Sequence, residues 1–305
     1  MIPVDRLNHL ALFYRDQREY LAYVGDFVLK GLAKDEPALI AVPREQARLL
    51  RSGLGQGDER VTYLDMTEMG RNPARIIPEM RTFLDGQGHQ QVRIVSEAIW
   101  LGRSAAELCE AIRHEALINL AFAASPVRIL CPYSAELAHT VIRDAGHTHP
   151  AIVQDGQTTA SLDYAGQGSI PPHCEAALPA PPAHAEQASY RTGLRALRTL
   201  VARHADRCGL SADRTASLVL AVGEIAANTL RHTADGGTLQ VWQAAGELLC
   251  QVQDQGWITD PLAGRRRRPA FESGHGLWVV NQVCDLVEMR SGKGGTTIRL
   301  HMRLA

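Results

Sequence analysis

Lysine is almost missing from this 305-residue chain. Lys30, Lys34 and Lys293 are the only three, so 29 of its 32 basic residues are arginine. A GC-rich coding sequence produces such a bias, and the bias gains chemical meaning only where an arginine fork faces a phosphate or carboxylate. Net charge of either sign is also missing. A formal charge of −1 excludes a chain that binds polyanions over its whole surface. No two of the six cysteines (Cys109, Cys131, Cys174, Cys208, Cys250, Cys284) lie within twenty residues of each other. That excludes C-x-x-C zinc and redox motifs, and free thiols in a reducing cytoplasm are the simplest reading. Residues 1–14 have no basic n-region and contain Asp5, so no secretory signal is expected. No apolar run approaches the ~18 residues that a membrane span needs. A G-x-x-x-x-G-K-[ST] phosphate loop is absent, and H-E-x-x-H fails because Ile118 follows His114-Glu115 at the second histidine position.

What is present is ordinary globular composition, 45% hydrophobic and 21% charged, in a length that at roughly 150 residues per domain gives two domains. Residues 1–155 carry 17 basic and 20 acidic groups, and residues 186–305 carry 15 and 11. The near-neutral total is thus a cancellation. The mildly basic C-terminal third is compatible with a polyphosphate ligand or an acidic protein partner, and too weakly charged for direct nucleic-acid binding. Between the halves, residues 165–188 hold seven alanines and five prolines. Proline fixes φ and removes a donor, so this stretch reads as an extended linker. The expected organisation is a domain over 1–160, a Pro/Ala-rich linker over 161–188 and a second domain over 189–305.

Upstream, short apolar runs (Ala38–Val42, Val61–Leu64, Val92–Val95, Val127–Cys131) alternate with helical patterns near 16–34, 44–54, 70–84, 104–123 and 134–145. Buried strands between amphipathic helices predict a doubly wound, mostly parallel α/β sheet. Gly53, Gly55 and Gly57 follow a helix rather than a strand and read as a loop. Downstream, helices are predicted over about 189–208 and 211–232, the latter capped by Ser211. Strands are predicted over 238–244 and 247–254, then a polar loop over 255–273, a helix near 275–284 and strands near 285–290 and 295–302. Helices on one face of such a sheet make an α+β two-layer sandwich.

The chemistry concentrates in the second half. Glu224, Asn228 and His232 stand at i, i+4 and i+8, one turn apart on one helix face. They read either as polar residues bordering solvent or as a carboxylate base beside an oxygen ligand for Mg²⁺. Asp254-Gln255-Gly256 closes a strand, either as a turn or as an acceptor for an exocyclic amine beside a glycine that lets a base approach. Gly274-His275-Gly276-Leu277 opens a helix after a loop, where exposed N–H groups can cradle phosphates. Gly294-Gly295-Thr296-Thr297 opens the last strand as a hairpin turn.

In this order and within about 75 residues, these four motifs resemble the GHKL ATPase superfamily of histidine kinases, gyrase B and anti-sigma factor serine kinases. EIAANTLRH and the short helix-to-lid spacing look most like the anti-sigma serine kinases. The resemblance covers about 186–305 and implies the Bergerat α+β sandwich, ATP and Mg²⁺ as cofactors, and a homodimer. By resemblance, Glu224 is the general base and Asn228 holds Mg²⁺. Asp254 binds the adenine amine beside Gly256, the loop from Gly274 through His275, Gly276 and Leu277 contacts phosphates, and Thr297 supports the adenine end. His232 matches a frequent family position without an assigned role. One departure is clear: Ile258, beside the bulky Trp257, stands where the family pattern D-x-G-x-G has its second glycine. The run Arg265–Arg268 in the lid reads as a solvated charge run or as contacts to the γ-phosphate or an acidic partner. A histidine autokinase would carry H-E-x-x-x-P, and the nearest match, His114-Glu115, has Asn119 at the proline position.

In the first half, HLALFY, Glu115 with Asn119, ILCPY and the HTHP at 147–150 resemble the MEDS sensory domain, which implies a RecA-like core that senses a signal. His9, Tyr14, Glu97 and Trp100 are candidate ligand contacts or core residues, and the H-x-H pair His147 and His149 reads either as a metal-binding pair or, as is usual for a lone pair near a domain end, as surface. Together these resemblances imply a cytoplasmic regulator of stress-response type. It would be an anti-sigma factor and protein serine/threonine kinase that sequesters a sigma factor and phosphorylates a STAS-domain antagonist. The alternative is a degenerate binding module without phosphoryl transfer.

Overall fold

The computed structural model describes residues 7–54, 59–88, 90–267 and 274–304, and the chain divides into two units, Met1–Cys174 and Glu175–Ala305. Gly55, Gly57 and Arg268 lie outside the described residues, whereas Gly53 belongs to a helix.

In the first unit, strands β1 (Asn8–Tyr14), β2 (Ala38–Val42), β3 (Val61–Asp65), β4 (Val92–Ser96), β5 (Val127–Ser134), β6 (Ala151–Gln154) and β7 (Gln157–Ala160) form one sheet in the order β3-β2-β4-β5-β1-β6-β7. Every pairing is parallel except β6 with β7. Helices α1 (Gln17–Leu32), α2 (Arg44–Leu54), α3 (Ile76–Gly86), α4 (Ala105–Ala121) and α5 (His139–Thr148) connect the strands. This is the expected doubly wound α/β domain. All five residues of β2 and of β4 are buried, as a sheet covered on both faces requires. Local signals start the helices. The Asp16 side chain accepts from Glu19 N at α1, and Ser104 with Glu107 forms a reciprocal capping box at α4. Sequence periodicity did not mark β1, yet it lies between β5 and β6. The expected helix at 70–84 begins instead with two 3₁₀ turns, Met69–Arg71 and Pro73–Arg75, because Asn72 caps a turn that starts at Pro73.

In the second unit, β8 (Glu186–Tyr190), β9 (Gly237–Ala244), β10 (Glu247–Asp254), β11 (Leu286–Gly292) and β12 (Gly295–Arg303) make an antiparallel sheet in the order β11-β12-β10-β9-β8. The helices are α7 (Arg195–Arg207), α8 (Ala212–His232) and α9 (Gly276–Val283). Their apolar sides meet the sheet in one core that includes Val201, Leu218, Val222, Ile225, Leu239, Cys250, Val252, Val280 and Leu300, which is the expected two-layer α+β sandwich. Ser211 caps α8 by accepting from Arg214 N. The helix expected from residue 189 starts only at Arg195. Residues 186–190 pair as an edge strand with β9, and Gly193 at φ 65° turns the chain.

The Pro/Ala-rich stretch is held to both units separately. Ala165 N donates to His147 O (3.2 Å) and a single helical turn, α6 (Pro172–Glu175), buries Cys174. Further on, Arg290 Nε donates to Ala176 O (3.1 Å) and Arg299 Nη2 to Pro179 O (2.5 Å). Carbonyls that proline-rich backbone cannot place in a ladder are thus satisfied by arginine side chains.

Candidate functional site

The site residues of the second unit come from three elements. Helix α8 presents Glu224 and Asn228 one turn apart, both half-buried, followed by the exposed His232. Strand β10 ends at Asp254, opposite Thr296 on β12 and Gly237 on β9. Helix α9 starts at Gly276, after His275 as its N-terminal flanking residue.

Asp254 is the best-anchored polar group here. Thr229 Oγ1 on α8 donates to its Oδ2 at 2.5 Å, and Gly256 N donates to its Oδ1 at 2.8 Å. The carboxylate keeps acceptor capacity for a further donor, since two oxygens offer about four lone-pair sites. Beside it, Thr296 Oγ1 donates to Gly256 O (2.8 Å) and shares a 2.7 Å hydrogen bond with Ser291 Oγ, which accepts from Ile258 N (2.8 Å). Gly295, at φ 114°, completes the turn under this end. A Cβ there would stand 2.3 Å from Asp254 O, so the close approach requires glycine.

At the other end, a Cβ on Gly276 would lie 2.8 Å from Glu224 Oε2 and 3.2 Å from Asn228 Nδ2. The absent side chain is what lets the start of α9 close on these two groups. Asn228 Oδ1 accepts from Arg231 Nη1 at 2.9 Å. A cavity of about 790 Å³ joins the two ends, lined among others by Asn228, His232, Asp254, Gly256, Gly274 and Leu277. The loop after β10 forms its wall. Gly264 O accepts from Asn281 Nδ2 (3.1 Å) and a Cβ on Gly264 would meet that same nitrogen at 2.7 Å, so this glycine seats the loop against α9.

The structure bears on two sequence readings here. Thr297 does not face the cavity. Side chains alternate along β12, so Thr296 and Ile298 line it, while Thr297 stands on the opposite face and accepts from Gln253 Nε2 (3.4 Å). The described arginines of the lid are not a uniformly solvated run. Arg265 is buried, Arg266 and Arg267 line the cavity, and the Arg267 guanidinium lies 5.7 Å from the centre of the Trp278 ring. Ile258, in the place of the second glycine, packs against the core, while Trp257 stays exposed and borders the cavity. Sequence reasoning missed Thr229 and Thr296; each is a threonine one residue from a motif position, a signal only the fold resolves.

In the first unit the candidate contacts do not form one site. His9 and Tyr14 leave β1 on opposite faces. Glu97 is fully buried and accepts from Tyr20 Oη at 3.0 Å, next to the Tyr14 ring. Burial pushes its carboxyl up to about 8, so it is protonated at neutral pH. The Arg103 guanidinium stacks over Trp100 at 3.6 Å. His149, expected at the surface, is completely buried beside His9, with ring centres 4.0 Å apart.

Residues 8–150 match the model of the MEDS domain (MEthanogen/methylotroph, DcmR Sensory domain). Residues 187–302 match that of the histidine kinase-like ATPase domain. No curated protein matches the chain. Among solved structures, it is similar to the RsbU and RsbW domains of a Mycobacterium tuberculosis protein, with 20% identity, 40% of this chain and 33% of that one covered, and a TM-score of 0.31. It is also similar to the histidine kinase domain of a blue-light activated histidine kinase from Erythrobacter litoralis, with 19% identity, 38% and 65% coverage, and a TM-score of 0.25. The chain therefore spans about a third of the length of the first and under two thirds of the second. Among the described residues no helix is long and apolar enough to cross a membrane.

Proposed function

We propose that this chain, a MEDS domain joined to a histidine kinase-like ATPase domain, is an ATP-dependent signalling regulator. In this reading it sequesters a sigma factor and phosphorylates a serine of a STAS-type antagonist, under control of the N-terminal domain. The observation that carries the nucleotide part is the closure of α9 on α8. Gly276 leaves room for Glu224 and Asn228, and Asn228 lies at one end of a cavity whose other end holds Asp254, Gly256 and Thr296, with Glu224 one turn away outside its lining.

These residues fit a nucleotide and its cation. Asp254 offers an anionic acceptor for an amine, held in place by Thr229 and Gly256. Gly256 has no side chain to crowd a flat ring, since a Cβ there would already press Asp254 Oδ1 at 3.0 Å. The N-terminal end of α9 offers free N–H groups to phosphates. Asn228 would supply an oxygen to Mg²⁺ once Arg231 releases it, and Arg231 is then placed for a phosphate. Bound Mg-ATP supplies the transferable phosphoryl group. Glu224, a turn before Asn228, would take the proton of the attacking serine hydroxyl. His114 is fully buried within the first unit, which favours transfer to a partner over transfer to that histidine.

The second reading, a module that binds partners without transfer, is favoured by Ile258 in the core and by the Arg231 hydrogen bond at Asn228. Incubation with Mg-ATP and STAS-domain candidates separates the two. Transfer to serine that Glu224→Gln abolishes while nucleotide still binds supports the kinase. Transfer retained in Glu224→Gln removes the role of Glu224, and nucleotide binding with no transfer to any candidate favours the second reading.

A further inference from the structure

Inside the first unit, four potential metal ligands from four different parts of the chain converge. His9 comes from β1, Glu115 from α4, Cys131 from β5 and His149 from the junction between α5 and β6. All four are at most 1% exposed, and their ligand atoms lie within 4.8 Å of one another. Glu115 Oε2 is 3.3 Å from His9 Nε2, 3.4 Å from His149 Nε2 and 3.3 Å from Cys131 Sγ, and His9 Nε2 is 3.4 Å from Cys131 Sγ. We propose that this cluster is a four-coordinate site for a divalent transition metal of the zinc class, closed by two imidazoles, one carboxylate and one thiolate.

Three features carry this assignment. The first is spacing. A tetrahedral zinc with bonds of about 2.0–2.1 Å to nitrogen and oxygen and about 2.3 Å to sulfur sets its ligand atoms about 3.3–3.6 Å apart. The four separations above fall in that range. The two nitrogen–oxygen separations are long for charge-assisted hydrogen bonds, which run at about 2.7–2.9 Å.

The second is the direction of the lone pairs. His149 Nδ1 faces the Ala145 carbonyl at 2.8 Å and so donates its proton there. His9 Nδ1 faces Asn119 Oδ1 at 3.2 Å, and Asn119 is held in that orientation by donating from Nδ2 to Thr148 O at 2.8 Å. In the neutral form both Nε2 atoms therefore present lone pairs to the Glu115 carboxylate, and His9 Nε2 also faces Cys131 Sγ; once the Cys131 thiol, which donates to Glu115 Oε2, gives up its proton, a shared cation reconciles four acceptors. Oxygen partners on the far nitrogen are the usual outer-shell arrangement of metal-binding histidines.

The third is incomplete satisfaction. His149 Nε2 is buried without a hydrogen-bond partner among the described residues. Unpaired polar atoms of this kind call for an explanation such as an ion. Two negative ligands and two neutral ones balance a dication, so the loaded site carries no net charge into the core. Binding displaces the Cys131 thiol proton to solvent. With every ligand supplied by protein and none exposed, the site is of the structural type, tying α4 and the α5–β6 junction to the central strands.

Because the site is buried, the metal enters as the chain folds. The full chain is therefore produced in cells supplied with Zn²⁺ or, separately, Co²⁺, purified without chelator and analysed for metal. The expected result is about one metal per chain, with an intense thiolate-to-Co²⁺ charge-transfer band in the Co²⁺ form. Cys131→Ser removes the band, Glu115→Gln lowers metal content to under about a tenth per chain, and Cys109→Ser, outside the cluster, keeps both. A wild-type chain that is folded by circular dichroism yet metal-free overturns the proposal without recourse to any variant. So does a charge-transfer band that persists in Cys131→Ser.

Discussion

Replacing Asp254 by asparagine tests the nucleotide reading with little disturbance of the fold. The wild-type carboxylate accepts from Thr229 Oγ1 (2.5 Å) and Gly256 N (2.8 Å). In Asp254→Asn the amide oxygen can keep the Gly256 hydrogen bond. The amide nitrogen then donates to Thr229 Oγ1, whose own proton has an alternative acceptor in Ile225 O at 3.2 Å. Two charge-assisted hydrogen bonds become neutral ones, a loss of about 2–3 kcal/mol together when hydrogen bonds to charged groups contribute about 1.5–3 kcal/mol each and neutral ones about 0.5–1.5. For a unit of this size that lowers the melting temperature by about 6–18 °C. The functional loss is separate and reads on binding. The amide nitrogen uses one proton on Thr229 and turns the other toward the position of the adenine amine, so donor meets donor. Leaving that amine unpaired costs about 1–3 kcal/mol, which is about a 5- to 150-fold weaker dissociation constant. Calorimetry with Mg-ATP and a thermal melt on the same full-length preparation read both numbers. An Asp254→Asn chain that melts within the stated range and binds Mg-ATP as tightly as wild type refutes the assignment of Asp254 to the base.

Two further outcomes follow from the same geometry. Gly276→Ala places a methyl 2.8 Å from Glu224 Oε2 and 3.2 Å from Asn228 Nδ2. Both atoms are ends of flexible side chains, so stability changes by no more than about 1 kcal/mol, while Mg-ATP affinity measured by calorimetry falls about tenfold. His301 tests the second unit by pH. Burial opposes its charge, but Glu247 at Nδ1 (2.8 Å) and Glu288 at Nε2 (2.9 Å) raise it to about 9. Its folded value lies above its unfolded one. Its contribution of about 3 kcal/mol is therefore fully present below about pH 6.5 and is lost as pH rises through about 9. Urea denaturation at pH 6 and 9.5 reads this, and His301→Gln flattens the difference; an unchanged slope in that variant would count against the ion-pair account.

Local sequence was sufficient where the signal repeats along one element. The runs Ala38–Val42 and Val92–Val95 gave β2 and β4, and a serine before a 3.6-residue pattern gave the start of α8, because burial on a sheet and capping of a helix are short-range requirements. The i, i+4 relation of Glu224 and Asn228 was legible for the same reason. Three things were decided only by tertiary structure. Strand alternation on β12 turned Thr296 rather than Thr297 toward the cavity. Pairing with β9 took residues 186–190, expected as the end of the linker and the start of a helix, into an edge strand. The sheet order β4-β5-β1-β6 brought His9, Glu115, Cys131 and His149 together from positions up to 140 residues apart. Each of those residues is unremarkable alone, and HTHP read as surface. Spacing along the chain encodes neighbours on one helix or strand. Which strands lie side by side, and so which lone pairs meet, depends on long-range pairing that no single segment specifies.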